Sequence, residues 1–141
     1  VYVATAEAHD DEMAARIAEH RARRDAGWQT IEAPSELPEA VRAAPKEAVV
    51  LVDCLTLWLS NIMHGPFDID RAMGQLEEAL HTRENATVLV SNEVGLGLVP
   101  ETPLGRAFRD AQGRLNQRIA AIASRVVLVV AGQPLIVKGT T

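Results

Sequence analysis

The sequence contains a single cysteine, Cys54, which excludes an internal disulfide and a zinc site built on paired cysteines. Because lone cysteines are typical of reducing compartments, we expect a cytoplasmic protein. Long apolar runs are also missing. The longest, such as residues 126–131, are far shorter than the ~20 residues that a membrane-spanning helix needs. We therefore expect no membrane partner.

Basic residues are too few for a protein whose main task is to bind nucleic acid. The chain has 14 lysines and arginines against 19 acids, and its formal net charge is −5. This balance argues against a nucleic-acid partner. With 141 residues, 48% of them apolar, the composition indicates one globular domain over residues 1–141.

The sequence also lacks a Walker A motif, the Gly-x-x-x-x-Gly-Lys-Ser/Thr loop that holds nucleotide phosphates. Gly95-Leu-Gly97 follows a predicted strand, but no third glycine is correctly placed for a dinucleotide site, so we interpret it as a tight turn. The chain opens on a β-branched run without an initiator methionine. We expect that the natural protein continues upstream of Val1.

Short apolar runs alternate with helical patterns along most of the chain. The runs mostly show no in-out alternation, which is typical of strands covered on both faces. This order predicts an α/β fold with a parallel, doubly wound sheet. The predicted strands are residues 1–5, 48–53, 86–91, 126–131 and 135–138. The predicted helices are residues 10–24, 38–44, 55–63, 69–83 and 103–124.

Polar residues follow the ends of the predicted strands. They are Thr5, Asp53, Ser91, Asn92, Glu93 and Gly132. Parallel strands present their carboxyl ends at one edge, where open α/β sheets bind ligands, so we expect a site there. Asp53 ends an apolar strand in the way that nucleotide enzymes present a carboxylate to Mg²⁺. The pattern equally allows Asp53 to cap the helix that follows.

The first predicted helix changes from apolar to basic along one face. Met13, Ile17, His20 and Arg24 share that face at helical spacing. A neutral imidazole is a good nucleophile for phosphorus, and neighbouring guanidinium groups offset phosphate charge. The alternative is that the arginines complement the helix dipole and that His20 is merely solvated.

Two further clusters have structural interpretations. His9-Asp10-Asp11 resembles a pair of metal ligands, but adjacent side chains at a helix start point apart, so we expect Asp10 or Asp11 to cap the helix. Four arginines on the last long helix are expected to form a solvated face. They are Arg106, Arg109, Arg114 and Arg118.

Motifs along the whole chain together resemble one family. They are Ala4-Thr5-Ala6, the run from Asp10 to Ile17, His20-Arg-x-Arg-Arg24, Trp28-x-Thr-x-Glu32, Val52-Asp-Cys-Leu-Thr56, Ser91-Asn-Glu-Val-Gly-x-Gly-x-Val-Pro100, Phe108-Arg-Asp110, Gly113-Arg-Leu-Asn-Gln117 and Ala131-Gly-x-Pro134. In this collinear order the sequence is similar to the bifunctional adenosylcobinamide kinase/adenosylcobinamide-phosphate guanylyltransferase family.

The resemblance implies a P-loop NTPase-like (RecA-like) sheet, with the family's first strand and Walker A loop absent from this chain. It implies an enzyme of cobalamin biosynthesis that phosphorylates adenosylcobinamide and transfers GMP from GTP to the product. The implied cofactors are GTP, ATP and Mg²⁺, and the implied assembly is a homo-oligomer. Without the Walker A loop, the kinase step and GTP binding are expected to fail, because phosphoryl transfer depends on positioning and charge neutralisation.

The resemblance also implies roles for individual residues. The matching position makes His20 the catalytic residue that carries GMP covalently. Asp53 is implied both as a nucleotide contact and as the metal ligand. The other implied nucleotide-binding residues are Ala4, Thr5, Ala6, Arg21, Ala22, Arg23, Arg24 and Glu32.

Two other functions stay open at the level of sequence. One is a P-loop kinase or nucleotide hydrolase in which His20 has no covalent step. The other is a non-catalytic nucleotide-sensing module.

Overall fold

The computed structural model describes residues 1–140, which form two compact units. The first unit is Val1–Asn92, and the second begins at Glu93. The expected single domain extends to residue 141, which lies outside the described residues. This division into units does not decide the number of domains, so that expectation stays a prediction.

The first unit alternates strands and helices. Its strands are β1 (Tyr2–Ala4), β2 (Thr30–Glu32), β3 (Val50–Asp53) and β4 (Thr87–Val90). Its helices are α1 (Asp11–Ala22), α2 (Leu37–Ala43), α3 (Leu55–His64) and α4 (Ile69–His81). The predicted helices are confirmed to within two residues at each end. Strand β2 was missed because its three residues, Thr-Ile-Glu, form too short a run to stand out.

The four strands form one sheet in the order β2-β1-β3-β4, and every neighbouring pair is parallel. The predicted parallel α/β sheet is therefore confirmed for the first unit. Parallel neighbours at equal register point their side chains to the same face. One face carries Val3, Ile31, Val50 and Val52, and all of these except Ile31 are fully buried.

The opposite face of the sheet is more polar. Register places on it Tyr2 and Ala4 of β1, Thr30 and Glu32 of β2, and Leu51 and Asp53 of β3. The core consists of the buried side chains of the first face and those of α2, α3 and α4, where Trp58, Leu37 and Leu76 are fully buried. Burial of each such side chain contributes about 1.5–3 kcal/mol. Helix α1 has no buried residue, so its attachment rests on other contacts.

The second unit contains a short 3₁₀ turn (Val94–Leu96), helix α5 (Pro103–Ile122) and strands β5 (Val126–Val130) and β6 (Gln133–Lys138). Strands β5 and β6 pair antiparallel with each other in a sheet of two strands. Their two-residue loop, Ala131 and Gly132, has φ values of 50° and 75°. This is the geometry of a tight β-hairpin turn.

The hairpin corrects one expectation. Residues 126–131 and 135–138 were predicted to join the parallel sheet, with Gly132 at its ligand-binding edge. The two apolar runs pair with each other instead. Only two residues separate β5 from β6, both with positive φ, and so tight a turn leaves no length for the crossover that parallel strands need. Gly132 therefore belongs to a hairpin turn.

Candidate functional site

Tyr2 and Asp53 meet at the carboxyl end of the parallel sheet. Tyr2 lies opposite Leu51 in register, so Asp53 is its diagonal neighbour on the same face. The Tyr2 hydroxyl donates a hydrogen bond to Asp53 Oδ2 over 2.5 Å. Burial, with the hydrogen bond to Asp53 and its negative charge, raises the pKa of Tyr2 to about 12. The phenol therefore stays a hydrogen-bond donor at neutral pH.

Asp53 does not cap the next helix. The N-cap of α3 is Cys54, and no side chain accepts a capping hydrogen bond there. The capping interpretation of Asp53 is therefore wrong, because its carboxylate is turned to Tyr2 instead. Burial raises the pKa of the neighbouring Cys54 thiol, which keeps it protonated.

Thr5 is fully buried and ties β1 to the end of β3. Its Oγ1 donates to the Cys54 carbonyl (2.7 Å) and accepts from the Cys54 amide (2.8 Å). Asn61 of α3 donates from Nδ2 to the Thr5 carbonyl (2.8 Å) and to the Pro34 carbonyl (3.0 Å). Both hydrogen bonds of the Thr5 hydroxyl are thus made to the backbone of Cys54. Asn61 was not predicted from the sequence, because a single amide on a helix forms no recognisable pattern.

The end of β4 joins the same edge. The backbone N and Nδ2 of Asn92 both donate to Thr56 Oγ1, over 3.1 and 3.0 Å. Thr5, Asp53 and Asn92 therefore meet at one edge, as predicted. Glu93 belongs to the second unit, where its Oε1 accepts from Asn116 Nδ2 (2.9 Å).

The basic end of α1 is held against the polar face of the sheet by two contacts. Arg21 forms an ion pair with Glu32, the last residue of β2. The Arg24 guanidinium lies over the Tyr2 ring, 4.0 Å from its centroid, which is close enough for a cation–π interaction. Trp28 packs edge-on to the same ring, with the centroids 6.0 Å apart.

Some of these side chains line a cavity of about 360 Å³ that is largely open to solvent and has a volume within the range of small-molecule sites. Its lining consists of Arg21, Arg24, Asp25, Trp28, Thr30 and Glu32. Three of the predicted nucleotide residues, Arg21, Arg24 and Glu32, are therefore brought together. Trp28, Thr30 and Glu32 reach the cavity because they alternate along an extended segment. Trp28 and Thr30 were not predicted as site residues, and this two-residue period is the sequence signal that could have indicated them.

His20 is exposed in the last turn of α1, directly before Arg21. Across the described residues, the His20 side chain has no hydrogen bond or ion pair, and it is not part of the cavity lining. Its ring nitrogens are accessible for reaction.

The remaining predicted nucleotide residues do not line the cavity. Arg23 is exposed and pairs with Glu19, one turn back on α1, and Ala22 is exposed beside it. Ala4 and Ala6 are half-buried at the end of β1, where the Ala4 carbonyl accepts from the Ala33 amide (2.9 Å). Their contact with nucleotide stays a prediction.

Residues 1–140 hold no group of three or more His, Cys, Asp and Glu side chains placed to bind a metal. Magnesium in nucleotide enzymes usually keeps several waters and takes one or two carboxylates plus substrate phosphates. The single carboxylate of Asp53 is enough for that requirement. Its Oδ2 accepts from Tyr2, and its Oδ1 makes no hydrogen bond within the described residues.

The other sequence interpretations have mixed outcomes. Asp10 is the N-cap of α1 and accepts from the Met13 amide over 2.7 Å, as predicted. On α5, Arg106 and Arg114 are exposed, as expected of a solvated face, whereas Arg109 and Arg118 are half-buried. Arg106 donates to the Pro100 and Glu101 carbonyls, and Arg109 donates to the Gly95 carbonyl.

Within the described part of the chain, no helix is long and apolar enough to cross a membrane.

The model of one protein family, described as cobinamide kinase / cobinamide phosphate guanyltransferase, matches residues 1–137. The chain is 47% identical over 141 residues to the bifunctional adenosylcobalamin biosynthesis protein CobP of Pseudomonas aeruginosa. That match covers 98% of this chain and 82% of the relative.

Two enterobacterial relatives are almost as similar. The bifunctional adenosylcobalamin biosynthesis protein CobU of Escherichia coli is 42% identical, and that of Salmonella typhimurium is 41% identical, each over 149 residues. Each match covers 94% of this chain and 82% of the relative.

Proposed function

The chain belongs to the cobinamide kinase / cobinamide phosphate guanyltransferase family, and from this premise we propose that it is an enzyme of adenosylcobalamin biosynthesis. The proposed reactions are phosphorylation of adenosylcobinamide and transfer of GMP from GTP to the resulting phosphate. The product is adenosylcobinamide-GDP. The observation that supports the second step most directly is the cavity of Arg21, Arg24 and Glu32 directly after His20.

In the proposed transfer, a ring nitrogen of His20 attacks the α-phosphorus of GTP. A phosphorus–nitrogen bond forms while the bond to the bridging oxygen breaks, and pyrophosphate leaves with the electron pair. An oxygen of adenosylcobinamide phosphate then attacks the same phosphorus and breaks the phosphorus–nitrogen bond. Covalent catalysis of this kind divides one difficult displacement into two easier ones.

The cavity residues suit the charge that this reaction develops. The Arg21 and Arg24 guanidinium groups offset the negative charge of the phosphates, and fixed donors of this kind stabilise a phosphoryl transition state. Glu32 holds Arg21 in place from the sheet. The Trp28 indole supplies an aromatic surface in the cavity lining, on which a base can stack.

Asp53 is the proposed ligand for Mg²⁺, which when bound neutralises phosphate charge. A P-loop NTPase-like arrangement is part of the proposal, since the strand-end carboxylate suits it. The kinase step needs groups that grip the transferred phosphate, and the loop that does so in P-loop enzymes has no match in these residues. Guanylyl transfer is therefore the step for which this chain supplies the candidate groups.

The test is labelling of the full-length protein by GTP that carries radioactivity at the α- or the γ-phosphate. We expect α-label on the protein, stable to alkali and labile to acid, and no γ-label. His20→Ala removes the label. The matched control is His81→Ala, which replaces an exposed histidine in the last turn of α4. Label that persists in His20→Ala, or no label on the wild-type protein, overturns the proposal.

The same samples separate the other two functions. Release of γ-phosphate without protein label indicates a kinase or hydrolase without the covalent step. No label, no phosphate release and no heat on titration with GTP and Mg²⁺ leave the non-catalytic class. Homo-oligomeric assembly and a cytoplasmic location stay predictions.

A further inference from the structure

We propose that Tyr2 is a positioning residue of the nucleotide site, which acts on GTP through Asp53 and Arg24. This inference rests on the proposed function. Tyr2 is the only residue that contacts both the strand-end carboxylate and the basic end of α1 among the interactions described above. The geometry assigns separate tasks to its hydroxyl and to its ring.

The hydroxyl orients the Asp53 carboxylate. It donates to Oδ2 over 2.5 Å and leaves Oδ1 without a hydrogen bond from residues 1–140. Hydrogen bonds to charged acceptors are short and directional, so the carboxylate cannot rotate freely about the Cβ–Cγ bond of Asp53. The Oδ1 oxygen, which would bind Mg²⁺, is therefore oriented before nucleotide arrives.

The ring orients the Arg24 guanidinium. Arg24 lies 4.0 Å over the ring centroid, and its Nη1 is buried without a hydrogen-bond partner in the described residues. Trp28 packs against the same ring in a T-shaped arrangement, so the ring itself has little freedom to tilt. A flexible arginine is thus held where it lines the cavity.

If Tyr2 had only a structural role, its substitution would have different effects. Tyr2 has only 9% of its surface exposed, and a simple core residue would affect stability alone. A positioning role instead makes removal of the hydroxyl change the response to Mg²⁺. Removal of the ring then changes GTP affinity even when Mg²⁺ is saturating.

The experiment uses the full-length protein and measures the dissociation constant of GTP by calorimetry over a series of Mg²⁺ concentrations. The variants are Tyr2→Phe, which keeps the ring, and Tyr2→Leu, which removes it. Thr82→Val is the control for loss of a hydroxyl, because Thr82 Oγ1 donates to the Ala79 carbonyl at the end of α4. Thermal unfolding of each variant reports its stability separately.

We expect Tyr2→Phe to need about tenfold more Mg²⁺ for half-maximal GTP affinity, the effect of a lost hydrogen bond to a charged group. Its affinity at saturating Mg²⁺ stays at the wild-type value. Tyr2→Leu weakens GTP binding at saturating Mg²⁺ by a further factor of about three to ten, since the cation–π contact is lost. In an Asp53→Asn background, Tyr2→Phe has no further effect, because the hydroxyl acts through that carboxylate.

Three outcomes overturn the inference. They are a wild-type Mg²⁺ response in Tyr2→Phe, an equal change in Thr82→Val, and an undiminished effect of Tyr2→Phe in the Asp53→Asn background. In these cases wild-type protein still binds GTP and takes up α-label, so the proposed function stands. A wild-type protein that neither binds GTP nor takes up label overturns both.

Discussion

Arg21 of α1 forms an ion pair with Glu32 at the end of β2, which joins the helix that carries His20 to the sheet. Helix α1 buries none of its own residues, so this pair and the Arg24–Tyr2 stack are its main side-chain attachments to β1 and β2. The candidate nucleophile therefore depends on polar contacts at one end of an exposed helix. Such contacts break at low cost.

Glu32→Gln should weaken GTP binding several-fold while it leaves the protein almost as stable. The two side chains are 55% and 60% exposed, and exposed ion pairs contribute about 0–1 kcal/mol. Calorimetry with GTP and a thermal melt measure the two effects. Glu12→Gln, which breaks the exposed Arg16–Glu12 pair on the same helix, is the control and should change neither. A large fall in melting temperature with unchanged GTP affinity would falsify this prediction.

Thr5→Val should destabilise the first unit by about 1–3 kcal/mol, the cost of unpaired buried polar groups. Valine has nearly the same shape but leaves the Cys54 amide without its partner, and the Cys54 carbonyl keeps only the hydrogen bond from the Trp58 amide. Urea unfolding followed by tryptophan fluorescence measures the change. Trp58 lies on α3, the helix that directly follows Cys54, and it is fully buried in the folded protein. Thr5→Ser keeps the hydroxyl and should recover most of the loss. Equal stability of the valine and serine variants would contradict the argument.

Arg83→Lys should cost about 1–2 kcal/mol, although the charge is kept. The Arg83 guanidinium donates to three carbonyls, those of Ala44, Pro45 and Ala48, and so ties the loop before β3 to the end of α4. A lysine cannot reproduce this fork of donors. Arg71→Lys on the exposed side of α4 is the control. The prediction fails if both variants unfold at the same urea concentration.

Alkaline pH should destabilise the wild-type protein more than Tyr2→Phe. The pKa of Tyr2 rises from its ordinary value of 10.0 to about 12 on folding. The folded state therefore favours the protonated phenol, and this stabilisation is present below pH 10 and lost as the pH rises towards 12. Urea unfolding at intervals between pH 8 and 12 measures it. Parallel curves for the two proteins would show that the phenol titrates alike in both states.

Much of the fold was predictable because periodicity and capping are local. All five helices and strands β1, β3 and β4 of the parallel sheet lie where apolar patterns placed them, and Asp10 caps α1 as its position suggested. The candidate site was predicted in part. Strand ends indicated Asp53 and Thr5, and the basic turn of α1 indicated Arg21 and Arg24.

The sequence by itself determined the helices and every strand except β2, where the charged residues follow them, and to which family the chain belongs. Only the tertiary structure decided that Tyr2 holds Asp53, 51 residues away, and that β5 pairs with β6 in a hairpin. The physical reason is that the face of an element follows from its own residues, whereas strand partners and register follow from contacts between distant segments.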